Sequence, residues 1–380
     1  MVTVGDITLP ISLIGQESPP TDRDAATTVK TRSAALNIHV ADPFADERWN
    51  ELVDRHPRAS AFHKRGWLKA LQRTYGYEPF VLTTAAPGET MNDGVVFCQI
   101  SSWATGTRAV SLPFADHCEP LISGSGQIAD FLEWLRTNRS RQRWKYVEIR
   151  PLLPFEAVNN APESSSSYCL HELDTRPSLE HVFHHMHRDC VRRRIRRAER
   201  EGLSYEVGRT PSFLEVFYQL LLITRRRHGT LPQPKSWFRN LLTCLGADLD
   251  IWVARKDDLP IASLLTLNHG RSVVYKYGCS DARFHKLGGM PFLFWKLIEE
   301  SKARGVVKVD FGRTDSGNDG LIRFKDRLGA RKHTLTYYQY PGGNKRSVDS
   351  RTSETARHIV SVLPDSICEA AGRILYRHMG

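Results

Sequence analysis

The chain has 380 residues, of which 41% are hydrophobic and 25% are charged, and its formal net charge is +11 with an isoelectric point near 9.4. This composition is typical of a globular protein of about two to three domains, and no apolar run approaches the roughly 18 residues of a membrane span. The basic charge favours polyanionic partners such as nucleic acid, nucleotide-linked substrates or an anionic membrane surface, without choosing among them.

Residues 1–36 contain Pro19-Pro20 and polar side chains without a clear period, which predicts a mobile N-terminal tail. The start of the chain has neither a basic segment nor a long apolar core, so no secretory signal is evident. The seven cysteines are scattered and contain no CxxC pair, which favours free thiols in a reducing compartment. We therefore expect a cytoplasmic protein, with or without contact to the inner face of the membrane.

A pattern of three strands, a helix and a fourth strand occurs twice, over 79–150 and 249–313. The first block contains the strands EPFVLTTA, DGVVFCQISS and TRAVSLPF, the helix QIADFLEWLRTNR and the strand KYVEIRPL. The second contains LDIWVARKD, PIASLLTLNH and SVVYKYG, the helix PFLFWKLIEESKARG and the strand VVKVDFGR. A helical region precedes each block, at 46–75 and at 178–245.

Three strands joined by short links predict antiparallel pairing, and the helix then crosses over to a parallel neighbour. We therefore predict an α/β protein with two similar domains, at 37–170 and 171–345, each a mixed and mostly antiparallel sheet flanked by helices. The run ESSSS at 163–167 indicates a linker between them. Residues 346–380 form a predicted C-terminal helical tail, which Pro364 interrupts.

The stretch VDFGRTDSGNDGLIRFKDRLGA at 309–330 contains the DFG of protein kinases, and an HRD stands upstream at 187–189. The spacing excludes the kinase interpretation, because Asp310 lies 121 positions after Asp189. No Gly-rich loop and no VAIK-like lysine precede the two motifs.

Several motifs together resemble those of FemAB-type proteins, which consist of two acyltransferase domains of the GNAT type in tandem, and the resemblance covers roughly residues 40–380. Within this family, the sequence is similar to the branch that is associated with bacterial exopolysaccharide and exosortase loci. The motifs, in family order, are FHKRGWLKAL (62–71), YGYEP (75–79), SLPFADHCEPL (111–121), VRRRIRRAEREGL (191–203), TRRRHGTLPQP (224–234), DFGRT (310–314) and GLIRFKDRLGA (320–330).

This resemblance implies transfer of an acyl or aminoacyl group to an amine on a nucleotide- or lipid-linked sugar or peptide of the cell envelope. Direct attack of the amine needs no covalent enzyme intermediate, and no nucleophile motif is present. The donor is an aminoacyl-tRNA or an acyl-CoA, and no tightly bound cofactor is expected. The GNAT loop for the coenzyme A pyrophosphate, Q/R-x-x-G-x-G/A, is absent, because Arg283 and the pair Gly288-Gly289 are out of register.

The predicted catalytic residues are Lys325, Asp310 and Arg313. The resemblance assigns a functional lysine to the FK pair, so Lys325 would place a charge on an oxyanion or phosphate from a loop, and Phe324 would line the acceptor channel. Arg313 could grip a phosphate or carboxylate. Asp310 is either a general base, if burial raises its pKa, or a residue that orients Arg313 or caps a turn.

Basic segments and two of the family motifs supply further candidates for substrate binding. Arg193 and Arg196 lie in an arginine-rich helix, which either binds phosphates or presents a solvated charged face. Arg227 and His228 end a long helix before Gly229, where basic residues also complement the helix dipole. The other candidates are His63 and Trp67 of the first motif, and Tyr277 and Arg283 near the predicted donor loop.

A metal site is not predicted, because the histidines at 181, 184, 185 and 187 have no cysteine or carboxylate at a known ligand spacing. The alternative to a transferase is a polyanion- or RNA-binding protein with a decayed site, or a non-catalytic assembly partner. DNA is not an expected partner.

Overall fold

A computed structural model describes residues 37–124, 127–155, 163–342, 360 and 363–379. The predicted N-terminal tail at 1–36 and most of the predicted tail before Pro364 lie outside the described residues. No helix of the described part is long and apolar enough to cross a bilayer.

The first part of the described chain contains five strands and three helices. In chain order they are β1 (His39–Ala41), α1 (Glu47–Arg55), α2 (Arg65–Tyr75), β2 (Glu78–Thr83), β3 (Val95–Ile100), β4 (Arg108–Val110), α3 (Gln127–Asn138) and β5 (Val147–Ile149). A short 3₁₀ turn, Ala61–His63, precedes α2.

The second part begins with a long strand and carries most of the helices. Its elements are β6 (Glu163–Asp174), α4 (Leu179–His185), a π-turn (Arg188–Arg192), α5 (Arg193–Arg200), β7 (Ser204–Gly208), α6 (Pro211–His228), α7 (Lys235–Leu245), a 3₁₀ turn (Gly246–Asp248), β8 (Leu249–Lys256), β9 (Leu259–His269), β10 (Ser272–Ser280), a 3₁₀ turn (Ala282–Leu287), α8 (Gly289–Ala303), β11 (Lys308–Asp315), α9 (Asp319–Arg327), β12 (Arg331–Tyr340) and α10 (Asp365–Met379).

The strand–strand–strand–helix–strand pattern is confirmed in both parts. Strands β2, β3 and β4 pair antiparallel in succession, and β5 then joins β4 in parallel after α3. Strands β8, β9 and β10 repeat this arrangement, and β11 joins β10 in parallel after α8. The predicted fold class, α/β with a mostly antiparallel mixed sheet flanked by helices, is therefore correct.

All strands belong to one sheet with the order β1-β2-β3-β4-β5-β12-β6-β11-β10-β9-β8-β7. Strand β12, from the end of the second part, pairs with β5 of the first part and with β6. The predicted division at residue 170 falls inside β6, and both predicted domains contribute strands to this continuous sheet. The interior is shared as well, because Trp67 of α2 packs edge-on against Trp237 of α7 at 5.3 Å between ring centroids.

Two local predictions were wrong. The ESSSS run is the start of β6 and not a linker, since its backbone pairs with β12 at Ser166–Tyr337 and Ser167–Thr336. Inside the region predicted as helical, Ser204–Gly208 is the edge strand β7, which pairs with β8. In both cases a strand distant in sequence supplies the hydrogen bonds, and local composition does not reveal such a partner.

Helix ends follow local chemistry. Thr210 caps the start of α6 by accepting the N–H of Phe213, with Pro211 at the first helical position. The helix ends at Gly229, whose φ of +62° is left-handed, as the predicted stop at this glycine requires. The C-terminal helix α10 begins directly after Pro364.

Candidate active site

The candidate site lies where the parallel strands β10 and β11 separate. Their pairing extends from Ser272–Lys308 to Val274–Asp310, and each strand has a bulge directly beyond that point. The bulge in β10 falls between Tyr275 and Tyr277, and the one in β11 between Asp310 and Arg313. Bulges redirect side chains next to functional sites, and here Lys276 and Asp310 stand at the two bulges.

A cluster of buried charged side chains fills the region beneath these bulges. His117 Nε2 lies 2.8 Å from Asp310 Oδ2, and Lys276 Nζ donates to Asp116 Oδ1 at 2.9 Å. Lys325 Nζ donates to the carbonyl of Gly312 at 2.8 Å and to that of Arg313 at 3.3 Å. The first part of the chain thus supplies Asp116 and His117, and the second part supplies the lysines and Asp310.

Asp310 is fully enclosed, with 2% of its surface exposed. Burial alone would raise its pKa, but the hydrogen bond and charge of His117 and the N–H of Gly312 outweigh burial and leave the pKa below its ordinary value. The condition for Asp310 as a general base, a raised pKa, is therefore not met. Its second oxygen accepts the Gly312 N–H at 2.7 Å, which fits the predicted role of capping a turn.

Lys325 lies in helix α9 and not in a loop, which corrects the predicted setting of this residue. Asn318 caps α9 by accepting the N–H of Leu321 at 3.2 Å, and the helix directs Lys325 inward. Burial lowers the pKa of Lys325 to about 8, although the carboxylates of Asp116 and Asp310 counteract part of that effect. The ammonium can therefore exchange a proton near neutral pH.

Sequence reasoning missed Asp116 and His117 as site residues, although it quoted their motif SLPFADHCEPL. In the structure this segment is strained, because Leu112 and Phe114 have φ values of 60° and 61°. Arg150 stabilises the turn by donating to the carbonyl of Leu112 at 3.0 Å. A polar pair directly after an apolar motif was the available signal. A second available signal was Lys276, a charged residue in a buried strand.

Arg313 is engaged within the protein. Its Nη1 donates to the hydroxyl of Tyr337 at 3.0 Å, and its guanidinium lies over the ring of Tyr168, 4.3 Å from the centroid. The Tyr337 hydroxyl in turn donates to the carbonyl of Asp116 at 2.6 Å. Arg313 therefore links β11 to the motif that carries Asp116, and no contact with Asp310 is found among the described residues.

A pocket of about 210 Å³ opens at the N-terminus of α8. Phe324, which was predicted to line an acceptor channel, lines this pocket, and its chain neighbour is Lys325. Tyr275 also lines it, and the next residue is Lys276. Other walls come from Ile261 and Ala262 of β9, from the turn at 280–285, from Gly289–Pro291, from Leu321 and from Arg194.

The glycines at the start of α8 allow close packing around this pocket. Gly288 has a φ of +81°, and a Cβ there would lie 2.6 Å from the Arg194 carbonyl oxygen. The turn before it is closed by Asp281, which accepts hydrogen bonds from the N–H and the guanidinium of Arg283. The Arg283 side chain is otherwise 77% exposed, and it is not among the residues that line the pocket.

The basic candidates differ in position. Arg227 donates to the carbonyl of Ser280 at 3.2 Å and lies 3.2 Å from His285, so it borders the pocket, and His228 is exposed beside it. Arg193 and Arg196 are exposed on α5 and do not line the pocket. Arg194 of the same helix does, and periodicity did not single it out.

Three predicted substrate-binding residues belong to the interior, which corrects those predictions. His63 is fully buried, with Nε2 2.9 Å from the carbonyl of Glu119, and burial lowers its pKa to about 3. Trp67 is fully buried among aromatic rings. Tyr277 donates to Gln233 Oε1 at 2.6 Å and accepts from the Trp237 indole. Internal hydrogen bonds account for His63 and Tyr277, and ring packing accounts for Trp67.

Over the residues that the structure describes, no group of three or more histidine, cysteine, aspartate or glutamate side chains is arranged to hold a metal ion. The histidines near α4 have other neighbours. His185 Nδ1 lies 2.8 Å from the carbonyl of His181, and His184 Nδ1 lies 3.1 Å from an Arg192 nitrogen.

Comparison with known proteins agrees with this architecture. Residues 186–326 match the sequence model of a family described as an acetyltransferase (GNAT) domain. No curated protein matches the chain. Among solved structures, FemX superimposes with a TM-score of 0.62 at 13% identity, over 76% of this chain and 95% of FemX.

Two further structures share the fold. The C-terminal domain of a putative lysylphosphatidylglycerol synthetase from Agrobacterium fabrum has a TM-score of 0.53 at 15% identity, over 80% of this chain and 93% of that one. L-PGS from Bacillus licheniformis has a TM-score of 0.50 at 13% identity, over 86% and 96%. The chain thus has a GNAT-type acyltransferase fold. Residues 186–326 are the part that resembles a GNAT domain, and the fold shared with FemX covers 76% of this chain.

Proposed function

We propose that this protein transfers an acyl or aminoacyl group onto an amine of a cell-envelope or exopolysaccharide precursor. The observation that carries the proposal is the pocket at the start of α8, which lies within the matched residues 186–326. Its lining residues Tyr275 and Phe324 are the chain neighbours of the buried Lys276 and Lys325. A site for acyl transfer needs a concave donor pocket next to groups that handle charge and protons. The similarity to FemAB-type proteins of exosortase loci supports the choice of acceptor.

The donor binds at the turn and helix start between Ser280 and Gly289. N–H groups at a helix N-terminus attract anions, and Arg194 adds a positive charge at the same pocket. These features suit the phosphates of an acyl-CoA or of the 3′ end of an aminoacyl-tRNA. The absence of the Q/R-x-x-G-x-G/A signature favours the second donor, as does the shared fold with a protein named as a lysylphosphatidylglycerol synthetase.

The chemistry is direct attack of a neutral amine on the donor carbonyl. A C–N bond forms while the C–S bond of a thioester or the C–O bond of an aminoacyl ester breaks, and negative charge develops on the carbonyl oxygen in between. The proton that the amine loses ends on the departing thiolate or ribose oxygen. Lys325, with a pKa of about 8, is mostly protonated at neutral pH and supplies the charge or passes a proton. Asp310 and His117 are positioning residues, which hold the bulge that carries the Lys325 acceptors.

Ligand-linked thermal stabilisation tests the donor. The purified protein is heated with acetyl-CoA, longer acyl-CoAs, and charged or uncharged tRNA at two salt concentrations. We expect charged tRNA to stabilise more than uncharged tRNA, and Arg194→Ala to remove the difference. The matched control is Arg200→Ala, which changes an exposed arginine of the same helix that does not line the pocket.

Other outcomes decide between the alternatives. Stabilisation by a CoA compound that depends on Arg194 would identify an acyl-CoA donor. Equal and salt-sensitive stabilisation by both tRNAs would favour the second candidate function, a polyanion-binding protein with a decayed site. The exposed arginines at 193, 196, 197 and 200 of α5 support that candidate. No stabilisation by any of these ligands would contradict the proposed function.

A further inference from the structure

The C-terminal helix α10 and a loop of the first part expose large apolar side chains. Trp103 is 91% exposed, Ile374 is 62% exposed and Ile367 is 48% exposed. All other tryptophans of the chain are buried or half-buried. An exposed tryptophan next to exposed isoleucines is unusual for a surface that faces only water.

The loop that carries Trp103 holds the C-terminal end of the helix. Ser102 Oγ lies 2.9 Å from His378 Nδ1, and Arg108 donates to the carbonyl of His378 at 2.8 Å. The Trp103 ring stands nearly perpendicular to the His378 ring, with 5.6 Å between centroids. The position of Trp103 relative to α10 is therefore set by direct contacts.

The apolar stripe of α10 cannot turn inward. Cys368 and Gly372 are buried on the opposite side of the helix, and a Cβ at Gly372 would lie 2.0 Å from the Pro232 carbonyl oxygen. Tyr376 donates to the carbonyl of Leu231 at 3.2 Å. Ile367 and Ile374, seven residues apart, share the outward side.

Positive charge flanks this stripe. Arg373 and Arg377 are exposed, and within the described residues neither side chain has an ion pair. Lys145 joins them at the loop, where its Nζ donates to the carbonyl of Thr105 at 3.0 Å. The acidic side chains of α10 are engaged elsewhere: Asp365 pairs with Arg226, and Glu369 accepts the Lys235 N–H.

We infer that this surface docks on an anionic lipid bilayer. We call it the α10 surface and define it as Trp103 together with Ile367, Arg373, Ile374 and Arg377. Tryptophan favours the membrane–water interface, isoleucines enter the acyl boundary, and unpaired arginines contact anionic headgroups. A narrow apolar stripe with Arg373 and Arg377 along one side suits a bilayer better than a protein, because a protein partner would have to neutralise each charge separately.

Docking here would bring the pocket close to the membrane. Asp365, at the start of α10, pairs with Arg226, and the next residue, Arg227, donates to Ser280 at the pocket. Delivery of a lipid-linked acceptor from the bilayer would follow. That consequence rests on the proposed function, whereas the docking itself does not.

Vesicle co-sedimentation tests the inference with the full chain. We expect binding to phosphatidylcholine vesicles that contain phosphatidylglycerol, weaker binding at high salt, and little binding to phosphatidylcholine alone. The variants Trp103→Ala/Ile374→Ser and Arg373→Glu/Arg377→Glu should each lower the bound fraction about tenfold or more. Matched controls are Leu259→Ser, at a residue with 48% exposure, and Arg331→Glu/Lys332→Glu on β12.

Fluorescence and oligomeric state complete the test. Brominated lipids should quench tryptophan emission in the wild type and not in Trp103→Phe, since the other indoles are enclosed or half-buried. The inference is overturned if the wild type does not bind anionic vesicles. It is also overturned if the control variants lose as much vesicle binding as the variants of the α10 surface. If the wild type is a dimer that Ile374→Asp dissociates, a second copy covers the surface and the inference fails.

Discussion

His117 Nε2 and Asp310 Oδ2 are 2.8 Å apart, and this contact joins the two halves of the protein inside a region closed to solvent. His117 follows a strained turn of the first half, and Asp310 stands at the bulge of β11 in the second. A carboxylate buried this deeply also needs a hydrogen-bond donor at its other oxygen. The Gly312 N–H meets that need for Asp310.

Replacing Asp310 with alanine should lower the free energy of unfolding by about 3 kcal/mol, because His117 and the Gly312 N–H lose their acceptor. Since the folded-state pKa of Asp310 lies below its usual 3.8, this contribution is present at neutral pH and is lost as pH falls through that lowered pKa. Urea unfolding measures the effect. The exposed Asp315→Ala on the same strand should change stability by no more than about 0.5 kcal/mol.

Lys325 should make the free energy of unfolding depend on pH in the alkaline range. Its folded-state pKa of about 8 lies below the ordinary 10.5, so between these values the unfolded state binds more protons and stability rises with pH. The difference corresponds to about 3 kcal/mol. Lys325→Met should therefore lose more stability relative to wild type at pH 10 than at pH 7. A difference between the two proteins that does not vary with pH would contradict the lowered pKa.

Turnover should depend on the same lysine. In a transfer assay with the donor identified by thermal shift, Lys325→Ala should reduce kcat by about 100-fold or more, while circular dichroism shows a folded protein. Arg323→Ala is the control, since Arg323 is exposed on the same helix. Equal rates in wild type and Lys325→Ala would restrict Lys325 to a structural role at the Gly312 and Arg313 carbonyls.

Gly288 should tolerate no side chain. Gly288→Ala places Cβ against the Arg194 backbone in addition to the cost of a left-handed φ, so we expect a loss of about 2–3 kcal/mol and of donor binding. Gly305→Ala has a similar φ of +75° and open space around the Cβ, so it should cost only about 1 kcal/mol. Thermal unfolding with and without donor compares the two. Equal losses would mean that the contact with Arg194 is relaxed in solution.

Trp67 should matter for stability alone. Trp67→Ala removes a fully buried ring from between Phe62 and Trp237, and about 3–5 kcal/mol should be lost. Trp103→Ala removes a ring of the same size from the surface and should change stability by about 0.5 kcal/mol or less. A direct role of Trp67 in substrate binding would instead appear as weaker donor binding in the milder variant Trp67→Phe with stability retained.

The motifs indicated which segments of the chain meet more reliably than which of their side chains face the buried cluster. Phe324, Lys325, Asp310 and Arg313 lie around one pair of bulges, within the motifs that predicted them. Which side chains of a motif face the site depends on the direction of each strand and turn. His63 therefore lies in the interior, although its motif resembled a family element as closely as the one that holds His117.

The sequence by itself determined the local elements: the twice-repeated order of strands and helix, the end of α6 at Gly229 and the start of α10 after Pro364. Periodicity, caps and turn residues act over a few positions, so they can be read from the letters. Only the tertiary structure decided that β12 crosses to β5, that ESSSS is a strand and that His117 meets Asp310. These features depend on partners more than a hundred positions away. The contacts that they create lower the pKa of Asp310 against the effect of burial, and burial itself lowers the pKa of Lys325.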